Sequence, residues 1–207
     1  FIDIGANIGT SSIPFAKNFK CEVIAVEGSK HNAILLLKNI LLNKVKVHPL
    51  INIITNKEEK VKNNFIKIYL QNGNMGASSV YRNWTSNINK DYELTKSEIM
   101  DGVIKISNID FSKVKIIKID IEGNENKLFY DFKNIKHLNS LIIFEHRIDR
   151  IKKMNKRIKL DYISNLEKKF KLYEINQINN KIYFKKFKVE NKCDCLAVPK
   201  KNFYLIK

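Results

Sequence analysis

The chain opens with an apolar segment that leads directly into a glycine-spaced turn. Residues 1–9 read Phe-Ile-Asp-Ile-Gly-Ala-Asn-Ile-Gly, which predicts a buried strand, a tight turn and a helix that begins near Ile8. Asp3 lies inside the apolar run, where an unpaired carboxylate is costly to desolvate. We therefore expect Asp3 to receive hydrogen bonds or to face a charged ligand.

The next apolar run also ends in an acid. Val23-Ile24-Ala25-Val26-Glu27 places Glu27 about 18 residues after Gly9, roughly the spacing at which an acidic residue binds ribose hydroxyls. Gly5 and Gly9 let the backbone turn and approach a ligand closely, and the following helix directs its free N–H groups to the same place. Taken alone, the loop also fits an ordinary strand-to-helix turn. Together, these features predict a nucleoside site.

The loop itself favours one kind of nucleoside. Dinucleotide sites use Gly-x-Gly-x-x-Gly without a preceding acid, because a pyrophosphate sits on the helix N-terminus. Here the spacing is Gly-x-x-x-Gly, and Asp3 precedes it. An acid at that position suits a ligand with a cationic amino-acid end and no phosphate, which describes S-adenosylmethionine (SAM).

A second motif, Lys-Ile-Asp-Ile-Glu-Gly-Asn-Glu at residues 118–125, follows another apolar run. With the opening, it makes the chain resemble the FkbM-type SAM-dependent methyltransferases. The family pattern is matched by D-x-G-A-N-x-G at 3–9, the acid Glu27, L-x-x-N-x-x-x-N at 36–43, G-x-S-S at 76–79 and K-I-D-x-E-G-x-E at 118–125. The resemblance extends through the strand at 141–146 and to residues 195–199. The Leu-Asp pair usual in the family is represented only by Ile109-Asp110.

The resemblance implies a fold, a cofactor and an acceptor. The fold is α/β, the class I SAM-methyltransferase (Rossmann-like) fold, with a mostly parallel sheet, helices on both faces and an antiparallel C-terminal hairpin. The acceptor is a hydroxyl of a sugar or glycan. The cofactor is SAM, and the residues expected to bind it are Asp3, Gly5, Ala6, Asn7, Gly9, Glu27 and Ser79.

The order of predicted elements independently indicates a parallel sheet. Helices are predicted at 8–19, 30–42, 126–135 and 160–170, and strands at 22–26, 46–50, 65–70, 114–119, 141–145, 172–175, 181–184 and 194–198. Strands and helices in alternation favour a parallel sheet with helices on both faces, and we expect the last two strands to form the antiparallel hairpin. We expect one SAM-methyltransferase domain over residues 1–207 that lacks N-terminal elements, because the chain opens inside a strand without a methionine.

Acidic and imidazole side chains fall at the carboxyl ends of the predicted strands, where open parallel sheets bind their ligands. They are Asp3, Glu27, Asp120, Glu122, Glu145 and His146. Methyl transfer to an oxygen requires alignment of the reactants and removal of a hydroxyl proton, so we expect His146 and Asp120 to be the base and its partner, in either order, with Glu122 beside them. Mg²⁺ held by Asp120, Glu122 and Glu145 is a less favoured alternative, since the spacing demands no metal. Each acid also fits a helix cap or a surface charge.

The formal net charge of +17 admits several partners. Lysine-rich runs at 152–157, 168–171 and 185–188 are suited to phosphate or lipid headgroups, but Lys, Asn and Ile are abundant throughout, which favours a compositional origin of the charge. We expect no specific nucleic-acid partner; an anionic glycan or a lipid-linked saccharide, with peripheral membrane contact, is as good a partner as RNA. Three cysteines without framework spacing indicate a reducing compartment, and we expect a cytoplasmic location.

The sequence therefore predicts a SAM-dependent O-methyltransferase acting on a sugar or glycan hydroxyl. Two alternatives stay open. An RNA-directed methyltransferase is favoured by the charge and disfavoured by the absence of a recognisable RNA-binding motif. A non-catalytic SAM-binding module would keep the nucleoside crevice without the chemistry.

Overall fold

The computed structural model describes residues 1–71, 74–83, 91–132, 139–154 and 161–201. The strands are, in chain order, β1 (Ile2–Ile4), β2 (Val23–Glu27), β3 (Val47–Ile51), β4 (Ile53–Ile54), β5 (Phe65–Tyr69), β6 (Tyr92–Glu98), β7 (Ile116–Ile119), β8 (Leu141–His146), β9 (Phe170–Ile178), β10 (Lys181–Lys186) and β11 (Cys193–Pro199). The α-helices are α1 (Ser12–Phe19), α2 (Lys30–Asn43), α3 (Lys57–Lys62), α4 (Met100–Ser107), α5 (Glu125–Phe132), α6 (Ile148–Met154) and α7 (Asp161–Lys169). Short 3₁₀ helices cover Met75–Ala77 and Phe111–Lys113.

Within the described residues, eight strands form one sheet in the order β10-β9-β11-β8-β7-β1-β2-β3. The five strands from β8 to β3 pair in parallel, whereas β11 pairs antiparallel with both β8 and β9, and β10 pairs antiparallel with β9. This order confirms the predicted α/β architecture with a mostly parallel sheet. The antiparallel C-terminal hairpin is also present, but the predicted pairing of its strands is wrong. The hairpin joins β9 to β10, while β11 lies between β8 and β9.

Apolar residues of the sheet are buried on both faces. One cluster includes Ala25 of β2 with Ile13 of α1 and Leu36 of α2. A larger cluster on the opposite face packs Ile117 of β7 and Phe144 of β8 against helical residues such as Phe129, Tyr162 and Leu166. Successive residues of a strand point to opposite faces, so a strand buried on both faces is apolar throughout, as β2 is. The helices therefore cover both faces, as predicted.

Helix α1 begins four residues later than predicted. Asn7 and Gly9 adopt left-handed backbone angles, with φ of 51° and 95°, so residues before Ser12 form a turn in place of a first helical turn. Pro14 lies in the first turn of the helix, where a missing N–H costs nothing. The predicted helix at 126–135 begins at Glu125, and its residues 133–135, like Leu160 at the start of the last predicted helix, lie outside the described residues.

The chain between β3 and β7 forms a second, three-stranded sheet in the order β4-β6-β5. Only β5 was anticipated, by the predicted strand at 65–70. Thr95 of β6 donates a hydrogen bond from its hydroxyl to the carbonyl of Gly28, and Asn52 donates its N–H to the carbonyl of Glu27. These bonds fix the small sheet above the carboxyl ends of β1 and β2, where it encloses a crevice.

Among the described residues, no helix is both long and apolar enough to cross a lipid bilayer.

Candidate active site

The loop after β1 is held tightly between its two neighbouring strands. Gly5 and Ala6 donate their N–H groups to the carbonyl of Val26, at 2.8 and 3.0 Å. Gly5 has a φ of 85°, and a Cβ atom there would lie 1.8 Å from the carbonyl oxygen of Asp120. The glycine is required by this backbone contact as well as by its φ, since side chains rarely adopt that conformation. The contact brings the ends of β1, β2 and β7 to one point.

Glu27 is the buried acid at the end of β2. One of its carboxylate oxygens accepts the N–H of Asn7 and the other accepts the N–H of Ser29, both at 2.8 Å. Burial raises the pKa of Glu27, and the two backbone N–H groups oppose this shift. A carboxylate has about four acceptor positions, and the Asn32 side chain also interacts with Glu27, so at least one position stays available for a hydroxyl donor from a ligand. Glu27 therefore fits the ribose-binding role predicted for it.

The crevice beside Glu27 is lined by three parts of the chain. The ends of β1 and β2 and the start of α2 contribute Ile4, Gly5, Asn7, Val26, Glu27, Gly28 and Asn32. The small sheet and its loops contribute Asn52, Ile53, Ile54, Ile68, Met75, Gly76, Ser78, Ser79 and Val80. The end of β7 contributes Asp120, Ile121, Glu122 and Asn124. Aliphatic walls with a few polar groups at the edges are typical of small-molecule and cofactor sites.

Ser79 closes the crevice from the side of the small sheet. Its hydroxyl donates a hydrogen bond to the carbonyl of Glu122 at 2.6 Å and accepts the N–H of Tyr81. Because its hydroxyl hydrogen is already used by the loop after β7, Ser79 joins the two walls of the crevice. Its predicted contact with the cofactor stays a prediction.

Asp3 lies beneath the crevice and does not line it. The Ser12 hydroxyl donates to one carboxylate oxygen at 2.6 Å, and the Lys118 ammonium lies 3.6 Å from the other. Burial raises the pKa of Asp3, while Lys118 and Ser12 lower it. Asp3 thus receives a hydrogen bond and an ion pair, in line with the prediction, but it supports the loop from below. Ala6 and Gly9 are also absent from the crevice wall, since Gly9 packs against Ile13 and Leu36.

Lys118 connects Asp3 to the crevice. Its ammonium lies 3.2 Å from a carboxylate oxygen of Asp120, so one cation bridges a buried and a half-exposed carboxylate. Burial alone would lower the pKa of Lys118, but the two carboxylates raise it above its ordinary value. The lysine therefore stays charged and fixes the side chain of Asp120 at the end of β7.

Three carboxylates meet at the open end of the crevice. Oxygens of Asp120, Glu122 and Glu145 all lie within 4.8 Å of one another. Arg150 donates to Glu122 at 2.9 Å, and Arg147 donates to Glu145 at 3.3 Å. Burial raises the pKa of Glu145, and Arg147 opposes that shift. This cluster confirms that the acids at the ends of β7 and β8 converge, as their positions in the sequence predicted.

Glu125 holds the loop that carries two of these acids. Its carboxylate oxygens accept the N–H groups of Ile121 and Gly123, each at 2.9 Å. Burial raises the pKa of Glu125 to about 8, against the lowering effect of the backbone N–H donors. Glu125 therefore shapes the Asp120–Glu122 segment from below and takes no part in the crevice wall.

The prediction that His146 reaches the crevice is wrong. His146 has no solvent exposure, and its ring nitrogens lie 2.7 Å from the Tyr162 hydroxyl and 2.8 Å from the Val189 carbonyl. Ile142, Phe144 and His146 are the buried residues of β8, and Glu145 points to the other face. Because strand residues alternate, the neighbours Glu145 and His146 point to opposite faces, and Glu145 is the one that lies beside Asp120 and Glu122.

His146 is expected to contribute to stability instead of chemistry. Burial lowers its pKa, so the unfolded chain binds a proton more readily than the folded chain below about pH 6.5. Neutral His146 therefore stabilises the fold fully above about pH 6.5. This stabilisation is lost as the pH falls from 6.5 toward the lower pKa that His146 has in the folded chain. His146→Ala should destabilise the fold by about 2–4 kcal/mol at neutral pH, and by less in acid. Urea unfolding near pH 7.5 and near pH 5.5 measures this.

The control for His146 is His31→Ala, because His31 is exposed at the start of α2. That variant should be about as stable as the wild type at neutral pH, within about 0.5 kcal/mol. Equal destabilisation by His146→Ala at both pH values would refute the titration argument. A folded His146→Ala variant that binds the cofactor but transfers no methyl group would show that His146 takes part in the reaction.

Sequence reasoning missed several crevice residues. Asn32 and Asn124 are buried in its wall, and each has a side-chain oxygen without a hydrogen-bond partner among the described residues. Both are neutral amides, a residue type that does not by itself indicate a binding site. The only signals in the sequence were their positions, Asn32 in the first turn of α2 and Asn124 inside the K-I-D-x-E-G-x-E motif. The isoleucines of the small sheet carried no signal, because an apolar residue of an inserted strand resembles any core residue.

Glu27 should control the affinity for the cofactor. Glu27→Ala removes the acceptor of the N–H groups of Asn7 and Ser29 and the one predicted for ribose hydroxyls. We expect SAM to bind about 10- to 150-fold more weakly, a loss of about 1.5–3 kcal/mol of binding free energy. Glu22→Ala is the matched control, because Glu22 is exposed just before the same strand. Titration calorimetry measures both, and unchanged affinity in Glu27→Ala would remove Glu27 from the site.

NADH should not bind the wild type.

Comparison with known proteins agrees with this geometry. The family described as "Methyltransferase FkbM domain" matches residues 3–178. No curated protein is significantly similar in sequence. An O-methyltransferase from Bacillus cereus, solved in complex with SAH, is 12% identical with a TM-score of 0.50, over 96% of this chain and 73% of that one.

Two further solved structures are similar over most of this chain. They are a precorrin-6y C5,15-methyltransferase from Geobacter metallireducens (10% identical, TM-score 0.46, 95% of this chain and 79% of that one) and a SAM-dependent O-methyltransferase from Thermotoga maritima (10% identical, TM-score 0.46, 96% and 58%). Identities this low concern the fold alone, and the fold is that of the class I SAM methyltransferases. Since the family match covers most of the sequence, the chain belongs to the FkbM methyltransferase family and is a SAM-dependent methyltransferase.

Proposed function

We propose that the protein transfers the methyl group of SAM to a hydroxyl of a sugar or glycan. The observation that carries the proposal is a group of three carboxylates, in which Asp120 and Glu122 line the crevice and Glu145 lies beside them. Carboxylates accept hydrogen bonds only, so a cluster of them suits an acceptor that presents several adjacent hydroxyls. A resemblance to enzymes of this family points to the same class of acceptor.

The residues of the crevice divide between cofactor and acceptor. Glu27, Asn7 and the backbone around Gly5 would hold the nucleoside and amino-acid parts of SAM, which when bound supplies a methyl group on a positively charged sulfur. Asp120 is the side chain of the crevice best placed to take the hydroxyl proton, because it lies in the wall and is 43% exposed. Lys118 holds that carboxylate in place, and general-base help of this kind contributes about 10²–10⁴-fold.

A Mg²⁺-assisted reaction is the second way to activate the hydroxyl. The oxygens of Asp120, Glu122 and Glu145 are the hard ligands that Mg²⁺ prefers. However, Glu122 is bonded to Arg150 and Glu145 to Arg147, so an ion would have to displace both guanidinium groups. These ion pairs favour removal of the proton by Asp120 without a metal.

Methylation of an amino group is disfavoured by the sequence. Amino-directed enzymes use an Asn/Asp-Pro-Pro-Tyr/Phe segment to sandwich the amino group, and the three prolines of this chain, Pro14, Pro49 and Pro199, are far apart. The net charge of +17 is the observation that favours RNA as the alternative acceptor.

Transfer of labelled methyl groups tests the proposal. The full chain is incubated with radiolabelled SAM and, in separate reactions, with a cellular glycan fraction and total RNA. We expect label in the glycan fraction, stable to ribonuclease. Ribonuclease-sensitive label would establish the RNA alternative, and SAM binding without transfer to either fraction would indicate a non-catalytic module.

A further inference from the structure

The hairpin of β9 and β10 rises beside the acceptor end of the crevice. Glu145 of β8 pairs with Asp194 of β11, which pairs with Ile175 of β9, so Glu145 and Ile175 lie at the same level of the sheet. Because β11 is antiparallel to both neighbours, β8 and β9 run in the same direction. Strand β9 continues three residues past Ile175 to Ile178, and three residues of strand span about 10 Å. The hairpin therefore projects beyond the edge at which the crevice opens.

This projection is apolar and uncovered. All six residues of β10 are exposed, so neither face of the strand packs closely against another element in the part of the chain that the structure describes. The exposed fractions are 52% for Ile178, 63% for Ile182, and 46% for both Tyr183 and Phe184. A polar turn joins the strands, since Asn179 and Asn180 both have positive φ, as a two-residue type I′ turn requires. Four large side chains, three of them hydrocarbon and one a tyrosine, are thus exposed to solvent on one hairpin.

The charges on this element are of one sign. Lys181, Lys185 and Lys186 flank the three apolar residues of β10, and β10 contains no acid. The acid opposite Lys185 is Glu174 of β9, which is buried and accepts the N–H of Lys188 and the side-chain amide of Asn191. Among the described residues, no lysine of β10 forms an ion pair with a carboxylate, and the acid opposite Lys185 already accepts hydrogen bonds from Lys188 and Asn191.

We propose that the β9–β10 hairpin docks the protein onto an anionic phospholipid surface. Surfaces that combine apolar side chains with lysines bind the interface of such a membrane. The apolar groups insert between the lipid headgroups, and the lysines pair with the phosphates. A second copy of the chain fits less well, because lysines on an edge strand oppose strand-to-strand pairing. RNA would use the lysines but leaves the exposed isoleucines, Ile178 and Ile182, without a function.

Docking of this kind would orient the crevice. The sheet order places β10 beyond β8, on the side of Asp120 and Glu145, and places β3 at the opposite end. Two strand spacings, about 10 Å, separate β8 from β9. A membrane bound to the hairpin would therefore adjoin the acceptor end of the crevice and not its nucleoside end. The docking itself does not depend on which acceptor is methylated.

Co-sedimentation of the full chain with vesicles tests the proposal. We expect binding to vesicles of mixed phosphatidylcholine and phosphatidylglycerol, and little binding to phosphatidylcholine alone. Lys181→Gln, Lys185→Gln and Lys186→Gln together should weaken binding about 100-fold, and Ile182→Ser with Phe184→Ser about 10-fold or more. Both variants should retain wild-type affinity for SAM by calorimetry, which also shows that they fold.

Matched variants elsewhere make the test specific. The charge control is a triple variant, Lys17→Gln, Lys20→Gln and Lys38→Gln, which removes three exposed lysines from α1, its C-terminal end and α2. The apolar control is Leu41→Ser with Leu42→Ser, whose leucines are 75% and 80% exposed. Neither should weaken vesicle binding by more than about threefold. The proposal is overturned by equal losses in these controls, by no binding to anionic vesicles, by a dimer that the hairpin variants dissociate, or by RNA binding at physiological salt that displaces the vesicles.

Discussion

Replacing Asp120 by asparagine is expected to lower the rate of methyl transfer about 10²–10⁴-fold while SAM affinity changes by only a few-fold. The amide keeps the shape of the side chain and its reach into the crevice, but it cannot take a proton at neutral pH. It also leaves the Lys118 ammonium paired with Asp3 alone. Transfer of labelled methyl to the glycan fraction under saturating SAM, with SAM binding measured separately, distinguishes chemistry from affinity.

The control for this variant is Asp110→Asn. Asp110 is an exposed acid before β7 whose carboxylate accepts the N–H of Ser112, and it does not line the crevice. Its replacement should leave the rate within about twofold. If Asp120→Asn retains full activity, and wild-type activity is lost on chelation and restored by Mg²⁺, then Asp120, Glu122 and Glu145 are ligands of an ion and the base is elsewhere.

The crevice beside Glu27 was predictable because its signals are local. An acid after an apolar run ends a buried strand, and the two glycines mark the turn that brings Glu27 and the loop together. The acids at the end of β7 were predictable for the same reason. What the pattern did not reveal is depth: Asp3 precedes Gly5 by only two residues yet lies under the loop, where the Ser12 hydroxyl donates a hydrogen bond to it.

His146 shows why the catalytic half was harder to predict. Residues 141–144 are all apolar, so the sequence of β8 gives no period from which to tell which face is buried. The choice between Glu145 and His146 depends on Tyr162 of α7 and on Val189, which are distant in sequence. The pairing of β11 between β8 and β9 is likewise non-local. The β9–β10 hairpin, in contrast, had a local signal in Asn179-Asn180 between two strand-like runs.

The backbone contact at Gly5 leads to the second large expected effect. Gly5→Ala introduces a Cβ atom 1.8 Å from the carbonyl oxygen of Asp120 at a position whose φ is 85°. Neither the loop nor the end of β7 can yield without breaking the hydrogen bonds from Gly5 and Ala6 to Val26, or that from the Asp120 N–H to Ile4. We expect destabilisation of about 3 kcal/mol or more, measured by urea unfolding. SAM binding should fall below detection even where the variant is folded, because the loop and Asp120 can no longer occupy their places together.

Gly102→Ala provides the comparison. Gly102 lies in α4, its φ is not in the left-handed region, and a Cβ atom there would meet the side chain of Glu98, which can turn away, and no backbone atom. Alanine favours a helix by about 1 kcal/mol over glycine, so this change should leave stability within about 1 kcal/mol and SAM affinity unaltered. If Gly5→Ala is no more harmful than Gly102→Ala, the loop after β1 is free to move away from Asp120. In that case the convergence of the ends of β1 and β7, on which the assignment of Asp120 to the methyl-transfer site depends, does not hold in solution.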